Sequence, residues 1–205
     1  MSYILKDKTH DDEYKHLKNI KEIKGYYNID LTHRYCLRIY YNNNSQKNIF
    51  IIMQNPSNDN CKNGTLTKII NKFNQSNIHS IIIINLFSII ENKINKNNYN
   101  ILLSDEYCDN NINVIKEIII ETKANHYIFG CGQHTIKHIS KCKNKSIEQY
   151  NKIIEIIQTN ILPNEIKISY FDKMVMNNML PGYPKGLLNI LDLDIDILIN
   201  NLKSI

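Results

Sequence analysis

The segment that most constrains the fold is NIFIIMQNPSN, at residues 48–58. Its apolar residues run without interruption from Ile49 to Met53, and the run is then ended by Gln54, Asn55, Pro56 and Ser57. An uninterrupted β-branched run closed by turn residues indicates a strand buried on both faces of a parallel sheet. Pro56 has no N–H to give to a neighbouring strand, so pairing stops there. Because ligands bind at the carboxyl ends of such strands, this cluster predicts a ligand site. The alternative is a plain strand-ending turn and loop.

Alternating strand-like and helix-like segments predict the fold class. Strand patterns occur at 34–41, 48–54, 79–86, 127–131 and 166–171, and helix patterns at 11–24, 65–74, 110–123, 146–159 and 192–202. This order predicts a three-layer α/β/α sandwich with a mainly parallel central sheet. A loop of turn formers at 42–45 suggests that the first two strands form an antiparallel hairpin. Ser146 is the expected N-cap of its helix.

Length and composition favour one α/β domain at 31–205, preceded by a polar N-terminal arm at 1–30. The net charge of +5 permits contact with phosphate or nucleic acid without requiring it. The scattered cysteines form no C-x-x-C pair, which indicates reduced thiols without disulfides or zinc. The first residues of the sequence include charged side chains where a signal peptide needs apolar ones, and no apolar run approaches the ~20 residues that span a bilayer. We therefore expect a cytoplasmic protein with no membrane contact and no cofactor, whose oligomeric state the sequence leaves open.

Right-handed crossovers would bring the carboxyl ends of the parallel strands to one rim. The candidate ligand-binding residues at that rim are Arg34, Gln54, Asn55, Pro56, Ser57, Asn85, Phe87, Gly132 and Lys185. Arg34 offers a planar fork to phosphate or carboxylate if it faces the rim, and otherwise makes a surface ion pair. Phe87 suits stacking on a base, or equally filling the core.

Other reactive residues each have a functional and a structural interpretation, and the structural one is favoured. His134 and His138 have the spacing of metal ligands on a helix, yet surface histidines are the better interpretation and no metal is expected. Cys131 is either a nucleophile or a small buried strand-end residue. A lysine cluster either contacts phosphate or lies on a solvated helix and loop; its members are Lys137, Lys141, Lys143 and Lys145.

Four sequence blocks occur in a familiar order: Arg34-Tyr35, MQNPS at 53–57, NGT at 63–65 and INLF at 84–87. Together they resemble the domain-of-unknown-function family 1643, in which the blocks are R-Y, M-L-N-P-S, D-x-T and V-N-L-F. The resemblance runs from about residue 34 to residue 189. This chain departs from the pattern with Asn63 in place of the acid and Cys131 in place of a common Trp. Its closing block at 182–188 lacks the histidine and second proline of G-x-P-x-H-P-L.

The same motif order is more remotely similar to the uracil-DNA glycosylase superfamily, whose members carry an N-P or D-P element, a strand-end Asn and an H-P-S loop. This resemblance implies that Asn55 positions a water, as the one candidate catalytic residue, and that Asn85 reads a base edge. Gly186 stands where the superfamily has the histidine that supports the leaving base.

The leading interpretation is a domain that binds a nucleobase, nucleotide or nucleic acid in a strand-end pocket. One alternative is a DNA N-glycosidase that cleaves a modified or deaminated base. The other is a non-catalytic interaction or inhibitor protein with a decayed site. Whether the chain is an enzyme stays open at this point.

Asn85 ends a run of four isoleucines, so a buried strand fixes its backbone while its side chain emerges at the rim. Its amide is satisfied either by internal partners or by a ligand. We predict the second, in which case Asn85→Asp would leave the stability of the free protein nearly unchanged. We also predict that Asn55, Asn85 and Gly132 line one pocket.

Overall fold

The computed structural model describes residues 6–9, 17, 19–56, 64–74, 76–90, 104–131, 140–161, 166–171, 174–175, 180–181 and 189–204. Over these ranges the chain is an α/β protein, as the sequence predicts. The strands are β1 (Lys6–Thr9), β2 (Ile20–Tyr27), β3 (Arg34–Tyr41), β4 (Asn48–Met53), β5 (Ser80–Asn85), β6 (His126–Phe129), β7 (Lys167–Phe171), β8 (Met174–Val175), β9 (Leu180–Pro181) and β10 (Ile190–Asp192). The helices are α1 (Gly64–Phe73), α2 (Asp105–Thr122), α3 (Ser140–Asn160) and α4 (Ile195–Ser204).

One sheet of eight strands organises the described part of the chain, in the order β1-β2-β3-β5-β4-β6-β7-β10. Strands β5, β4, β6 and β7 are mutually parallel, whereas β1, β2, β3 and β10 are joined by antiparallel pairing. The sheet is therefore mixed, and the prediction of a mainly parallel sheet is wrong. Strands β8 and β9 pair with each other as a separate antiparallel ribbon.

Strand β4 lies at the centre of the parallel group, as its uninterrupted apolar run predicts. It pairs in parallel with β5 on one side and β6 on the other, and Ile49 to Met53 are all buried. Strand β5 is buried along its whole length as well. Consecutive side chains point to opposite faces of a strand, so a continuous run of isoleucine requires apolar layers above and below the sheet.

The predicted hairpin between β3 and β4 is wrong, because β5 lies between these two strands. Strand β3 pairs antiparallel with β5 and not with β4. The physical reason is that β5 is apolar on both faces and needs a neighbour on each side, so it takes a central position. As a result, the first residue of β3 lies at the carboxyl edge of β5.

The predicted helix at 11–24 is also wrong where the structure describes it, since residues 20–27 form β2. The buried residues of β2 are Ile23, Gly25 and Tyr27, which have the two-residue period of a strand. Lysine and glutamate at the intervening positions masked that period in the sequence. Strands β1 and β2 thus attach parts of the predicted N-terminal arm to the sheet.

Two of the helices begin earlier than predicted. Helix α2 begins at Asp105 instead of residue 110, and α3 begins at Ser140 instead of residue 146. Ser146 is therefore a fully buried residue inside α3 and not its N-cap. The last helix, α4, begins three residues later than predicted, after β10. No helix in the described ranges is long and apolar enough to cross a membrane.

Hydrophobic side chains pack on both faces of the sheet. On one face, Phe50, Ile52, Ile82 and Ile84 share a cluster with buried residues of α2, α3 and α4. On the other face, Ile51 and Ile83 share a second cluster with Ile69, Ile70 and Phe73 of α1. The helices that follow β4 and β6, which are α1 and α3, therefore leave the sheet towards opposite faces.

Candidate site at the carboxyl edge of the parallel strands

The strand order reverses at β4, and this reversal defines the candidate site. The chain passes from β4 to β5 on one side and then crosses over β4 to reach β6 on the other. In open α/β sheets the crevice at such a switch point is where ligands bind. Gln54, Asn55 and Pro56 follow β4 there, while Gly130 and Cys131 follow β6. The Gly130 N–H donates to the Ile52 carbonyl at 2.8 Å, which holds the two strand ends together.

The end of β5 is fixed against the end of β4. Asn85 is aligned with Met53 in the parallel register. Beyond the strands, the Leu86 N–H donates to the Met53 carbonyl at 2.9 Å and the Phe87 N–H to the Gln54 carbonyl at 3.0 Å. Asn85 and the residues after Met53 therefore have fixed backbones at the same edge of the sheet.

Asn85 is the most informative side chain at this edge. It is only 2 % exposed, and its Nδ2 has no hydrogen-bond partner in the described part of the chain. A buried amide donor left unpaired is unfavourable by about 1–3 kcal/mol. Strand alternation places Asn85 on the same face as Ile83, which is the face that carries α1.

Asn111 of α2 approaches the end of β5 from the opposite face. Its Nδ2 donates to the Asn85 carbonyl at 2.9 Å and to the Leu86 carbonyl at 3.1 Å. The side chain is completely buried, and its Oδ1 accepts no hydrogen bond within the described residues. Asn111 thus satisfies the backbone at the strand end while presenting an unused acceptor.

The start of β3 brings basic and aromatic groups to this edge. Arg34 is 6 % exposed, and its backbone N–H donates to the Ser88 carbonyl at 2.7 Å. His33 Nδ1 lies 2.9 Å from Ser88 Oγ, and its ring stacks on Tyr107 with the centroids 4.3 Å apart. Burial lowers the pKa of His33, and the nearby Asp30 carboxylate opposes that shift.

The structure describes several of the predicted site residues and leaves others outside its ranges. Arg34, Gln54, Asn55 and Asn85 lie at the carboxyl edge of the sheet, and Asn55 donates from Nδ2 to the Pro56 carbonyl at 3.2 Å. Arg34 is buried. Phe87 is packed within the core cluster that contains Phe50. The predicted residues outside the described ranges are Ser57, Gly132, His134, Lys137, His138, Lys185 and Gly186, and of Lys141 and Lys143 no side chain is described.

Cys131 has the surroundings of a buried structural thiol. Its Sγ donates to the Ile52 carbonyl at 3.3 Å, and burial raises its pKa to about 12. A thiol held protonated at neutral pH is a poor nucleophile. Lys145, the described member of the lysine cluster, pairs with Asp105 at 2.6 Å and Glu148 at 3.0 Å. In the described residues, no group of three or more His, Cys, Asp or Glu side chains is placed to hold a metal ion.

A second polar cluster lies towards the amino edge of β6, away from the switch point. His126 Nε2 lies 2.9 Å from Ser169 Oγ, and Ser169 Oγ lies 3.2 Å from Asp192 Oδ1, which also pairs with Lys167 at 2.9 Å. Burial, followed by the charges of Lys167 and Lys47, lowers the pKa of His126 to about 4. The serine stands between histidine and carboxylate, whereas a hydrolytic triad has the histidine in the middle. These contacts therefore join β6, β7 and β10 without forming a triad.

Sequence reasoning missed His33, Tyr107 and Asn111. Only Asn111 left a usable signal, because it falls in the same stripe as the buried residues Cys108 and Ile115. A fully buried amide needs a hydrogen-bond partner, so an Asn within an apolar stripe predicts a polar contact inside the protein.

The fold and this edge define an open-sheet α/β protein with polar side chains gathered where its parallel strands end. A family model described as "Protein of unknown function (DUF1643)" matches residues 34–162, more than half of the chain, and the chain belongs to this family. The family resemblance is thereby confirmed, although the match ends before the closing block at 182–188. No curated protein and no solved structure matches the chain.

Proposed function

We propose that this chain binds a nucleobase or nucleotide, free or within a nucleic acid, at the carboxyl edge of its parallel strands. The observation that carries the proposal is the buried Asn85 amide, whose Nδ2 has no partner in the described residues and which lies beside the switch point. An Asn side chain has a donor and an acceptor in one plane, which is the pattern needed to read the edge of a base. A site of this kind rejects analogues that leave either group unpaired.

Arg34 supports a nucleotide ligand over a free base alone. The antiparallel pairing of β3 with β5 and the bond from the Arg34 backbone N–H to the Ser88 carbonyl bring its backbone to the same edge, and a planar fork of donors suits phosphate. In this proposal, Ser57, Gly132 and Lys185, which lie outside the described ranges, complete the ligand contacts. In this proposal the sheet, with helices on both faces, forms a three-layer sandwich similar to that of the uracil-DNA glycosylase superfamily. The protein would act in the cytoplasm.

We propose that the chain binds its ligand, and we assign it no catalytic step. Asn55 can orient a water, but its amide cannot accept a proton at neutral pH, so it is no general base. Gly186 also leaves the chain without the histidine that the superfamily resemblance would supply. A DNA N-glycosidase acting on a modified base, and an interaction protein that binds no base, are the two competing functions.

Thermal unfolding against a panel of bases, nucleosides and nucleotides tests the proposal. A ligand present at 100 times its Kd adds about 2.7 kcal/mol to the free energy of unfolding, which is readily detected. We expect at least one class to raise Tm, and Asn85→Leu to abolish the shift. Release of base from labelled oligonucleotides would establish the glycosidase instead. A panel without any shift, together with intact oligonucleotides, would leave only the interaction protein.

A further inference from the structure

Strand β3 has one fully covered face and one face that is covered only in part. On the face that carries α1, its side chains are at most 1 % exposed: Leu37, Ile39 and Tyr41. On the face that carries α2, Cys36 is fully buried in the apolar cluster, whereas Arg38 and Tyr40 are partly exposed. Side chains two residues apart share a face of a strand, so the apolar cover ends between Cys36 and Arg38.

Cross-strand pairing gathers charged and aromatic side chains on this partly covered face. In the antiparallel register Lys24 lies opposite Arg38, and Glu22 lies opposite Tyr40. The side chains of directly opposite residues lie on the same face, with their Cβ atoms about 4.5–5.5 Å apart. The ring of His79 meets the ring of Tyr40 edge to face, with the centroids 5.5 Å apart. These five residues, all partly exposed, form what we call the β2–β3 face.

Arg38 is the central cation of the β2–β3 face. Its Cζ lies over the Tyr40 ring, 4.9 Å from the centroid, and a cation in this position is attracted to the face of the ring. Its Nε is buried without a hydrogen-bond partner in the described residues, and no carboxylate among those residues forms an ion pair with it. Contact with Tyr40 therefore positions the guanidinium while its charge is left unbalanced within the described part of the chain.

The charges on this face favour an anionic ligand. Lys24 pairs with Glu22 at 3.0 Å, so Arg38 makes the face positive. Burial raises the pKa of Tyr40, and the charges of Arg38 and Lys24 oppose that shift, which places both cations within electrostatic reach of its hydroxyl. Glu121 of α2 is close enough for its charge to act on β3, but it forms no ion pair with Arg38.

The aromatic groups narrow the class of anion. Unpaired bases stack on aromatic rings and on guanidinium planes, while the phosphates that join them accept hydrogen bonds from arginine and lysine. An acidic peptide would pair with the cations and leave the stacking surface unused. A duplex keeps its bases stacked on one another, so it would contact the cations alone. The combination of Arg38, Tyr40 and Lys24 on one open sheet face therefore suits a single strand best.

We propose that the β2–β3 face binds single-stranded nucleic acid, with phosphate on Arg38 and Lys24 and a base stacked against the Arg38–Tyr40 pair. This inference goes beyond the proposed function and does not rest on it. Tyr40 is aligned with Ser80, and β5 runs from Ser80 to Asn85 over about 17 Å. Binding to the β2–β3 face therefore needs no base at the switch point.

Arg38→Met tests the proposal, because it removes the guanidinium and keeps an unbranched side chain. The matched control is Lys72→Met, which removes one positive charge from the exposed side of α1, on the opposite face of the sheet. Fluorescence anisotropy measures the Kd of labelled oligothymidylate and oligouridylate of about twelve nucleotides, in salt from about 50 to 200 mM. We expect Arg38→Met to weaken binding about tenfold or more. It should also reduce the slope of log K against log salt by about 0.7, the share of one phosphate contact on a single strand. Lys72→Met should leave both quantities nearly unchanged.

Two further variants separate stacking from charge. Arg38→Lys keeps the charge without the planar group, so we expect it to retain the salt slope and to lose affinity by about threefold or more. Tyr40→Leu removes the ring, and we expect a loss of about fivefold or more. Thermal unfolding without nucleic acid shows which variants are folded. Wild-type affinity in both of these variants would overturn the inference even if Arg38→Met did not fold.

The remaining outcomes separate this face from its alternatives. The inference is overturned if the wild type binds neither oligonucleotide, or if Arg38→Met and Lys72→Met weaken binding equally. It is also overturned if a duplex or polyglutamate competes as well as the unlabelled single strand. Oligonucleotide binding that survives Asn85→Leu but not Arg38→Met supports the β2–β3 face whether or not the base site exists. If Arg38→Met retains both oligonucleotide affinity and the Tm shift with the panel of bases, the base site stands and this inference is wrong.

Discussion

Replacing Asn85 by leucine separates a ligand-reading amide from a structural one. The two side chains have the same number and branching of heavy atoms, so the change removes the amide while keeping the outline of the side chain. If Nδ2 is unpaired, its burial is unfavourable by about 1–3 kcal/mol, and leucine removes that penalty. We therefore expect the free energy of unfolding of the free protein to stay constant or to rise by up to about 3 kcal/mol. If the amide were paired internally, leucine would leave its partners without a hydrogen bond and would lower the free energy of unfolding by a similar amount.

Urea titration of both proteins without ligand measures this difference. The two expectations have opposite signs and differ by several kcal/mol, which exceeds the error of extrapolation for small proteins. The same proteins are then titrated with the ligand that gives the largest Tm shift. A variant that is destabilised by more than 1 kcal/mol, or one that retains wild-type affinity, would refute the assignment of Asn85 to base reading.

Asn85→Asp supplies a second measurement on the same atom, with its own dependence on pH. At 2 % exposure the new carboxylate would be buried, so the sequence-based expectation of unchanged stability applies only to the protonated form. Burial would raise its pKa above the unfolded value of about 4. The folded state then binds the proton more tightly, so stability is retained below pH 4 and falls by up to about 1.4 kcal/mol per unit as pH rises. The wild type measured at the same pH values corrects for the histidines, and a difference in stability between Asn85→Asp and the wild type that is equal at pH 4 and pH 7 would mean that a partner satisfies the carboxylate.

Three further predictions concern stability and reactivity. Asn111→Leu removes the donor to two buried carbonyls, and we expect urea titration to show a loss of about 2–4 kcal/mol. His126, with its pKa lowered to about 4 from an unfolded 6.5, stabilises the fold fully above pH 6.5. We expect that contribution, roughly 1–3 kcal/mol, to be lost as pH falls from 6.5 to 4. The lowered pKa of buried His33 changes stability in the same direction. A stability that stays constant over this pH range would contradict the prediction. Thiol labelling at pH 8, mapped by mass spectrometry, should modify the three buried cysteines only after denaturation, because burial raises their pKa to about 11 or 12: Cys36, Cys108 and Cys131.

The centre of the fold was predictable because burial on two faces leaves an unmistakable pattern. The isoleucine runs of β4 and β5 predicted buried strands, and the polar residues after them predicted which edge to inspect. Local sequence could not supply the order of the strands. Whether β3 pairs with β4 or β5 depends on which strand needs two apolar neighbours, and that is decided by the whole sheet.

The polar partners of the strand ends were less predictable for a different reason. Asn111 lies inside α2, where sequence reasoning followed the apolar stripe and treated polar residues as solvent-facing. Its side chain instead donates to the Asn85 carbonyl, at the end of a strand 26 residues earlier in the chain. A contact of this kind depends on how α2 is placed against the sheet, which no local pattern specifies.

The matched family segment contains most of the described residues of the candidate site. Residues 34–162 include β3, β4, β5 and β6 together with α1, α2 and α3, which supply Arg34, Asn85 and Asn111. The second polar cluster needs Ser169 and Asp192, and both lie beyond the matched segment. The part of the chain that defines the family is therefore sufficient to build the carboxyl edge with its orphan amides, but not the His126 network. If the family shares one function, the carboxyl edge is the site that the matched segment can supply by itself, and the effect of Asn85→Leu would apply beyond this chain.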